Sequence, residues 1–156
     1  MEKFNQKIIL VIYHSQGGTV KKLAETFVQG ASKIENIQII FKPAKDVLLE
    51  DLLCCQGIAI GSPEYFGYMA GLIKDFFDRT YEKAEQITIG LPYMIFVCAG
   101  NDGRGAITQI ERIVKGYHWK KVYEHFRVVG VPREEDFAHV EEMGQTLAAG
   151  VEEGIY

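Results

Sequence analysis

Hydroxyl and glycine residues at positions 15–20 form the segment of this chain best suited to bind a phosphate. The segment joins an unbroken apolar run, residues 8–13, to a helix that the apolar spacing predicts over residues 20–31. A helix N-terminus carries unpaired N–H groups and a partial positive charge, and glycines let an anion approach the backbone there. The hydroxyls of Ser15 and Thr19 would add two donors, so the segment predicts a phosphate site.

A second interpretation of the same segment needs no ligand. Gly17 and Gly18 would then permit a tight turn from strand to helix, and a hydroxyl would cap the helix. The segment is not a P-loop, because no Gly-Lys-Ser/Thr follows the glycines, and it does not match G-x-G-x-x-G. A dinucleotide pyrophosphate site is therefore disfavoured, while a monophosphate site and a simple turn both stay open.

Two further loops follow predicted strands and carry residues suited to a flat ligand. Residues 61–67 place Tyr65 and Phe66 between turn-forming residues, and residues 99–105 include three glycines that let the backbone approach a ring. Alternatively, the aromatic side chains pack under their own loop and the glycines only shape a turn. In an open parallel sheet, ligands bind beyond the carboxyl ends of the strands. The three loops together predict a site for a planar ring that carries one phosphate.

The elements that must position these loops alternate along the chain. Apolar periodicity predicts strands over 8–13, 37–41, 58–60, 93–98 and 122–129, and helices over 20–31, 46–55, 72–80, 107–117 and 137–151. Five strands, each followed by a helix, require a parallel sheet that is covered on both faces. We therefore predict an α/β fold and one domain over residues 1–156.

Composition excludes several classes of function. The formal net charge is −4 and no basic stripe occurs, so we expect no nucleic-acid partner. No apolar run approaches the roughly 18 residues of a membrane helix, and the N-terminus lacks a secretory pattern, so we expect a cytoplasmic protein without a membrane partner.

Three cysteines form neither a disulfide framework nor a metal motif. Residues 133–156 carry one basic and seven acidic side chains, which predicts a solvated helix face or a surface for a basic partner.

The three loops and their order resemble the flavodoxin-like flavoproteins over essentially the whole chain. Residues 15–20 resemble the FMN-phosphate loop of flavodoxins and related quinone reductases. Residues 61–67 are similar to the Pro-Glu-Tyr loop that lies against the isoalloxazine in NAD(P)H-dependent FMN reductases, and residues 98–103 fall where the third loop of the family meets the pyrimidine side of the ring. The resemblance implies FMN as the cofactor, no metal, and a three-layer sandwich with a five-stranded parallel sheet in the order 2-1-3-4-5. It assigns FMN binding to Ser15, Gln16, Gly17, Gly18, Thr19, Val20, Ser62, Pro63, Glu64, Tyr65, Phe66, Gly67, Cys98, Ala99, Gly100, Asn101, Asp102 and Gly103.

The resemblance leaves two redox functions open. One is an oxidoreductase that passes electrons from NAD(P)H through FMN to a quinone-like or other small acceptor, and the other is an electron carrier between redox proteins. No residue needs to be a nucleophile or an acid–base catalyst, because FMN would supply the chemistry. We expect the amides of residues 62–66 and 99–103 to stabilise the reduced ring. Hydride transfer needs one open ring face. Residues 99–105 contain no aromatic and the net charge is mild, which favours the reductase.

Two further possibilities remain open. The chain has no large insertion to bind NAD(P)H, so a reductase could complete its pocket across a homodimer. Trp119 could serve such an interface, although we expect it in the core. A regulatory or scaffold protein would leave the pocket unused and bind no flavin.

Overall fold

Strands and helices alternate along residues 5–156, the part of the chain that the computed structural model describes. The strands are β1 (Lys7–Tyr13), β2 (Ile37–Pro43), β3 (Gly57–Tyr65), β4 (Tyr68–Met69), β5 (Pro92–Ala99), β6 (Lys120–Lys121) and β7 (Phe126–Val129). The helices are α1 (Thr19–Ala31), α2 (Leu49–Leu53), α3 (Gly71–Ala84), α4 (Arg104–Gly116) and α5 (Glu134–Glu152), and a short 3-10 turn lies at Ala44–Asp46.

The main sheet is parallel, and β1 lies inside it between β2 and β3. Val11 pairs with Phe41 of β2 on one side and with Ala59 of β3 on the other. The order continues through β5, which pairs with both β6 and β7 at its far side. This confirms the predicted order 2-1-3-4-5, with β6 and β7 sharing the fifth place. Strand order reverses at β1, so the carboxyl ends of β1 and β3 mark the point where ligands bind in such sheets.

The sheet has seven strands rather than the predicted five, and one of the two extra strands, β6, lies just before the range predicted for the fifth strand. Pro92 pairs with Lys120, and Phe96 pairs with Phe126. The two pairing positions are four residues apart on β5 but six residues apart on the facing segment. Residues 122–125 therefore lie outside the hydrogen-bonded ladder. Of the strand predicted over residues 122–129, residues 126–129 are confirmed as β7, and residues 122–125 are not strand.

The other extra strand arises because β3 continues beyond the predicted run 58–60 to Tyr65. Glu64 pairs with Met69, and Tyr65 pairs with Tyr68, both antiparallel. Residues 61–63 pair with β5 in parallel, so the whole segment 61–65, predicted as a loop, is strand. Only Phe66 and Gly67 form the turn of a β3–β4 hairpin that extends past the edge of the sheet.

Helices cover both faces of the sheet and create two apolar cores. Leu10 and Ile12 of β1 enter the core beneath α2, α3 and α4, while Ile9 and Val11 enter the core beneath α1 and α5. The alternation follows from the two-residue period of a strand. This confirms the predicted three-layer arrangement with helices on both faces. The two cores therefore fix the carboxyl ends of β1, β3 and β5 at one edge of the sheet.

Two elements of the cores confirm or refine the sequence analysis. Trp119 lies in the core, and its Nε1 donates a hydrogen bond to Thr88 Oγ1 at 2.9 Å, as expected for a buried indole. Helices α1 and α5 touch through glycine, because a Cβ on Gly144 would lie 2.0 Å from the carbonyl oxygen of Phe27. The acidic helix α5 therefore packs directly on α1, and Glu134, Glu135 and Glu142 are exposed.

None of the helices in residues 5–156 combines the length and the apolar character of a membrane-spanning segment.

Candidate functional site

The loops after β1, β3 and β5 meet at one edge of the sheet. The N–H of His14 donates to the carbonyl oxygen of Gly61 at 3.1 Å, which links the first loop to β3. The rings of His14 and Tyr65 lie edge to face with centroids 6.2 Å apart. A Cβ on Gly105 would lie 2.1 Å from the carbonyl oxygen of Gly67, so the start of α4 touches the hairpin turn. The structure therefore brings the three predicted loops together.

The first loop offers free backbone donors. Gly18 is the N-cap of α1 with φ of 95°, a conformation that favours glycine, and its N–H donates to Ser15 Oγ at 3.0 Å. Within residues 5–156, the N–H groups of Gln16, Gly17 and Thr19 donate to no protein acceptor. The Cβ positions of Gly17 and Gly18 face open space. The loop therefore has both the donors and the room that an anion needs. The Val20 side chain is buried in the core, so this residue could offer only its amide.

A cavity of about 350 Å³ lies beside this loop, between the carboxyl ends of β1 and β2 and the start of α3. Its lining includes Ser15, Lys21 and Lys45, and neither lysine forms an ion pair with a residue in the range 5–156. His14 also lines it, and burial lowers the pKa of this imidazole, so that the neutral form is favoured. The lysines give the cavity a positive lining next to the free amides. Sequence analysis missed Lys45, whose only signal was its place just after a strand beside β1.

In the segment that leads into the β3–β4 hairpin and its turn, some side chains are buried and others are exposed. Ser62 is fully buried; its hydroxyl donates to the Pro63 carbonyl at 2.7 Å and accepts from the Ala70 N–H at 3.1 Å. Phe66 and Gly67 both have positive φ, 53° and 70°, which suits the two-residue turn of a hairpin. The Phe66 side chain is fully exposed, so the interpretation that it packs under its own loop is wrong. A bulky residue in this conformation is strained, by about 1–3 kcal/mol.

The third loop is held by side chains from two other strands. The Glu64 carboxylate accepts hydrogen bonds from the N–H groups of Gly103 at 3.3 Å and Ala106 at 2.9 Å, and so caps α4. Arg127 Nη1 donates to the Asp102 carbonyl. Cys98 Sγ lies 3.6 Å from the Gly130 carbonyl oxygen, and burial raises the pKa of its thiol. Sequence analysis assigned Glu64 to FMN binding through the family resemblance and did not single out Arg127.

Some donors of this loop have no partner in the protein. The N–H groups of Gly100, Asn101 and Asp102 donate to no acceptor among residues 5–156. Gly103, the N-cap of α4, has φ of 74° and turns the chain into the helix. The loop thus presents a short row of free amides at the edge where the other two loops lie. Within the same part of the chain, no group of three or more His, Cys, Asp or Glu side chains is placed to hold a metal ion.

Comparison with known proteins finds relatives named as flavodoxins and as quinone dehydrogenases. No family model matches the chain. A flavodoxin of Aquifex aeolicus is 37% identical over 70 residues, which cover 45% of this chain and 38% of that protein. An NAD(P)H dehydrogenase (quinone) of Acidithiobacillus ferrooxidans is 29% identical over 145 residues, covering 80% of this chain and 70% of that protein. A solved flavodoxin from the domain Archaea superposes with a TM-score of 0.84 at 23% identity, over 93% of this chain and 99% of the other. The chain has a flavodoxin-like fold.

The flavodoxin-like relatives confirm the family resemblance and the fold that the three loops predicted. They include both proteins named as flavodoxins and proteins named as quinone dehydrogenases, so they support a flavoprotein that handles electrons without deciding between the two functions. The match to the Aquifex protein spans 38% of the length of that protein. The roles of the individual flavin-site residues stay predictions.

Proposed function

We propose that the chain binds FMN at the carboxyl edge of its sheet and passes electrons from NAD(P)H through this flavin to a quinone-like or other small acceptor. The observation that carries the proposal is the arrangement of free amides. One group lies in the loop after β1, and a second group lies in the loop after β5. FMN has one phosphate at one end and a polar ring edge at the other, and the flavodoxin relatives support it as the cofactor.

The first loop fits the phosphate end of FMN. The free N–H groups of Gln16, Gly17 and Thr19 would donate to phosphate oxygens at the positive end of α1. Open space at the glycines leaves room for the anion. Lys21 and Lys45 add positive charge from the cavity wall. Gly18 and the Ser15 hydroxyl set the shape of the loop through their mutual hydrogen bond.

The second and third loops fit the ring end. FMN, when bound, supplies the hydride and electron chemistry, and the protein supplies orientation and electrostatics. The free amides of Gly100, Asn101 and Asp102 would stabilise negative charge at the polar edge of the ring. Tyr65 and Phe66 offer aromatic surface from the hairpin, while Ser62, Pro63 and Gly67 would contribute backbone only. The Val20, Cys98 and Ala99 side chains serve packing in this proposal.

The composition of the third loop favours a reductase. Residues 99–105 carry no aromatic side chain that could cover a ring from that side. A nicotinamide must stack about 3–3.5 Å from the flavin, and this requires an uncovered face. The quinone dehydrogenase relatives, which match over 80% of this chain, support the same choice.

One observation favours the alternative, a flavodoxin-type electron carrier. Phe66, Val129 and Val131 are exposed apolar side chains, and they lie on segments that follow or end strands at the same edge. Exposed apolar surface beside a redox group suits a docking protein partner. In this alternative the flavin exchanges single electrons with other redox proteins and takes none from NAD(P)H.

Anaerobic mixing distinguishes the two functions. The FMN-loaded chain is mixed with NADH and, separately, with NADPH, and the visible absorbance of the flavin is followed. Rapid bleaching by either nucleotide supports the reductase. Absence of bleaching, together with stepwise reduction by dithionite through a one-electron state, would establish the carrier instead.

A further inference from the structure

One peptide group in the third loop is held at both ends by charged side chains. Its N–H, on Gly103, donates to Glu64 Oε1 at 3.3 Å, and its carbonyl, on Asp102, accepts from Arg127 Nη1. Glu64 lies near the end of β3 and Arg127 lies in β7. These strands pair with β5 on opposite sides, so the two charges reach the loop after β5 from its two flanks.

Further contacts support each of the two side chains. The second carboxylate oxygen of Glu64 accepts from the Ala106 N–H at 2.9 Å, so both oxygens are used at the start of α4. The Cδ of Arg127 lies 3.6 Å from the position that a Cβ on Gly103 would take, which places its aliphatic stem over this glycine. Glu64 therefore holds the loop through two hydrogen bonds, and Arg127 holds it through a hydrogen bond and through its aliphatic stem.

The signs of the charges fix the direction of the peptide. A peptide between small residues can rotate so that its N–H and carbonyl exchange places, and glycine at one end makes this rotation easier. In the rotated state the carbonyl of Asp102 would face the Glu64 carboxylate, and the N–H of Gly103 would face the Arg127 guanidinium. Hydrogen bonds to charged groups are roughly twice as strong as neutral ones, so the observed direction is strongly preferred.

We propose that Glu64 and Arg127 form a positioning pair for the flavin site. By fixing the Asp102–Gly103 peptide, they keep the free amides of Gly100, Asn101 and Asp102 turned towards the place of the ring. Neither side chain needs to touch the flavin to do so. The role towards flavin rests on the proposed function, whereas the hold on the peptide is a property of the flavin-free chain.

The first experiment tests the hold on the peptide without flavin. Amide hydrogen exchange is measured by NMR for Gly103 and Ala106 in the wild type, in E64A and in D78N. Asp78 is an exposed acid paired with Lys74, so D78N is a control for charge. We expect exchange at both amides to be at least about tenfold faster in E64A and unchanged in D78N. Equal protection in wild type and E64A would overturn the proposed hold.

The second experiment tests the role towards FMN in the flavin-loaded chain. Dissociation constants for FMN and the reduction potential of bound flavin are measured for E64A, R127A and the double variant. E64Q, which keeps one acceptor oxygen, tests rescue, and R112Q is the control for loss of an exposed arginine. We expect each single variant to bind FMN roughly tenfold more weakly. The dissociation constant of the double variant should rise by less than the product of the two single-variant increases, because both side chains act on one peptide.

The outcomes separate the two proposals. If the wild type binds no FMN, the proposed function fails, and the role of the pair towards flavin fails with it. The hydrogen-exchange experiment then still tests whether Glu64 fixes the peptide. If the wild type binds FMN, and E64A and R127A match it in affinity and potential, only the positioning role is overturned. If the loss of FMN affinity in the double variant equals the product of the two single losses, the positioning role is also contradicted. Intermediate affinity and a potential near wild type for E64Q would support it.

Discussion

Gly105, at the start of α4, lies so close to Gly67, at the tip of the β3–β4 hairpin, that no side chain fits between them. A Cβ on Gly105 would lie 2.1 Å from the carbonyl oxygen and 3.0 Å from the Cα of Gly67. Real Cβ atoms do not approach backbone so closely, and backbone cannot move aside as a side chain can. The contact sets the distance between the second and third loops, and hence the width of the proposed ring site.

The variant G105A should widen the site. We expect FMN affinity to fall by roughly tenfold or more, since the hairpin or α4 must shift by more than an ångström and catalytic or binding geometry tolerates little displacement. Titration of the flavin-free chain with FMN measures the effect. G71A is the matched control, because the Cβ position on Gly71 faces open space at the start of α3. Equal FMN affinities for G105A and G71A would contradict the role of this contact.

Replacing Phe66 should separate stability from binding. Glycine adopts the positive φ of this turn position without strain, so we expect F66G to raise the free energy of unfolding by about 1 kcal/mol. The same change removes exposed aromatic surface from the ring site, and we expect weaker FMN binding by up to about tenfold. Chemical denaturation and FMN titration measure the two effects. If F66G binds FMN as well as the wild type does, Phe66 has no role in the site.

The phosphate end of the site predicts discrimination between FMN and riboflavin. We expect K45Q to weaken FMN binding several-fold, because it removes a positive charge from the cavity beside the first loop. Riboflavin has no phosphate, and its affinity should not change. The control K83Q removes an exposed lysine from α3, far along the helix from the loop. A similar loss for both flavins in K45Q would point to altered folding of the loop rather than to phosphate binding.

His125 should make the stability of the fold sensitive to pH. Burial lowers the pKa of His125 from its ordinary 6.5; Lys121 acts in the same direction, and Glu111 and Glu124 oppose it. Both ring nitrogens are buried without a hydrogen-bond partner in residues 5–156. As the pH falls below about 6.5, the unfolded chain therefore takes up more protons at this residue than the folded chain, and stability decreases.

A comparison of melting temperatures tests this dependence. We expect the wild type to lose more stability than H125F between about pH 7.5 and about pH 5.5, because phenylalanine does not titrate. H118N, at an exposed histidine, should keep the wild-type slope. The same slope in H125F and wild type would show that His125 is not the source of the dependence.

The buried elements were predictable because their patterns are local. Residues 8–13 are an uninterrupted apolar run, and a strand buried on both faces in a parallel sheet requires one. The spacing of Leu23 and Phe27 likewise identifies the inner face of α1. These patterns, with the resemblance of the three loops, were sufficient for the strand order and the edge that carries the site.

The features that sequence analysis missed depend on pairing between distant segments. Residues 61–65 are strand because residues 61–63 pair with β5 and residues 64–65 pair with β4. Residues 122–125 leave the ladder because β5 is shorter than the segment facing it. Glu64 and Arg127 reach the third loop from two other strands, and no spacing in the sequence connects them. Lys45 joins the site through the neighbouring strand β2. Such contacts follow from the three-dimensional register and have no local signal.

A crystal structure of the chain grown with FMN tests the central claim most directly. The account predicts one FMN at the carboxyl edge of the sheet. Its phosphate should accept hydrogen bonds from the amides of residues 16–20, and its ring should lie between the hairpin and residues 99–103. FMN bound elsewhere on the chain, or crystals that show no flavin from solutions containing it in excess, would contradict the account.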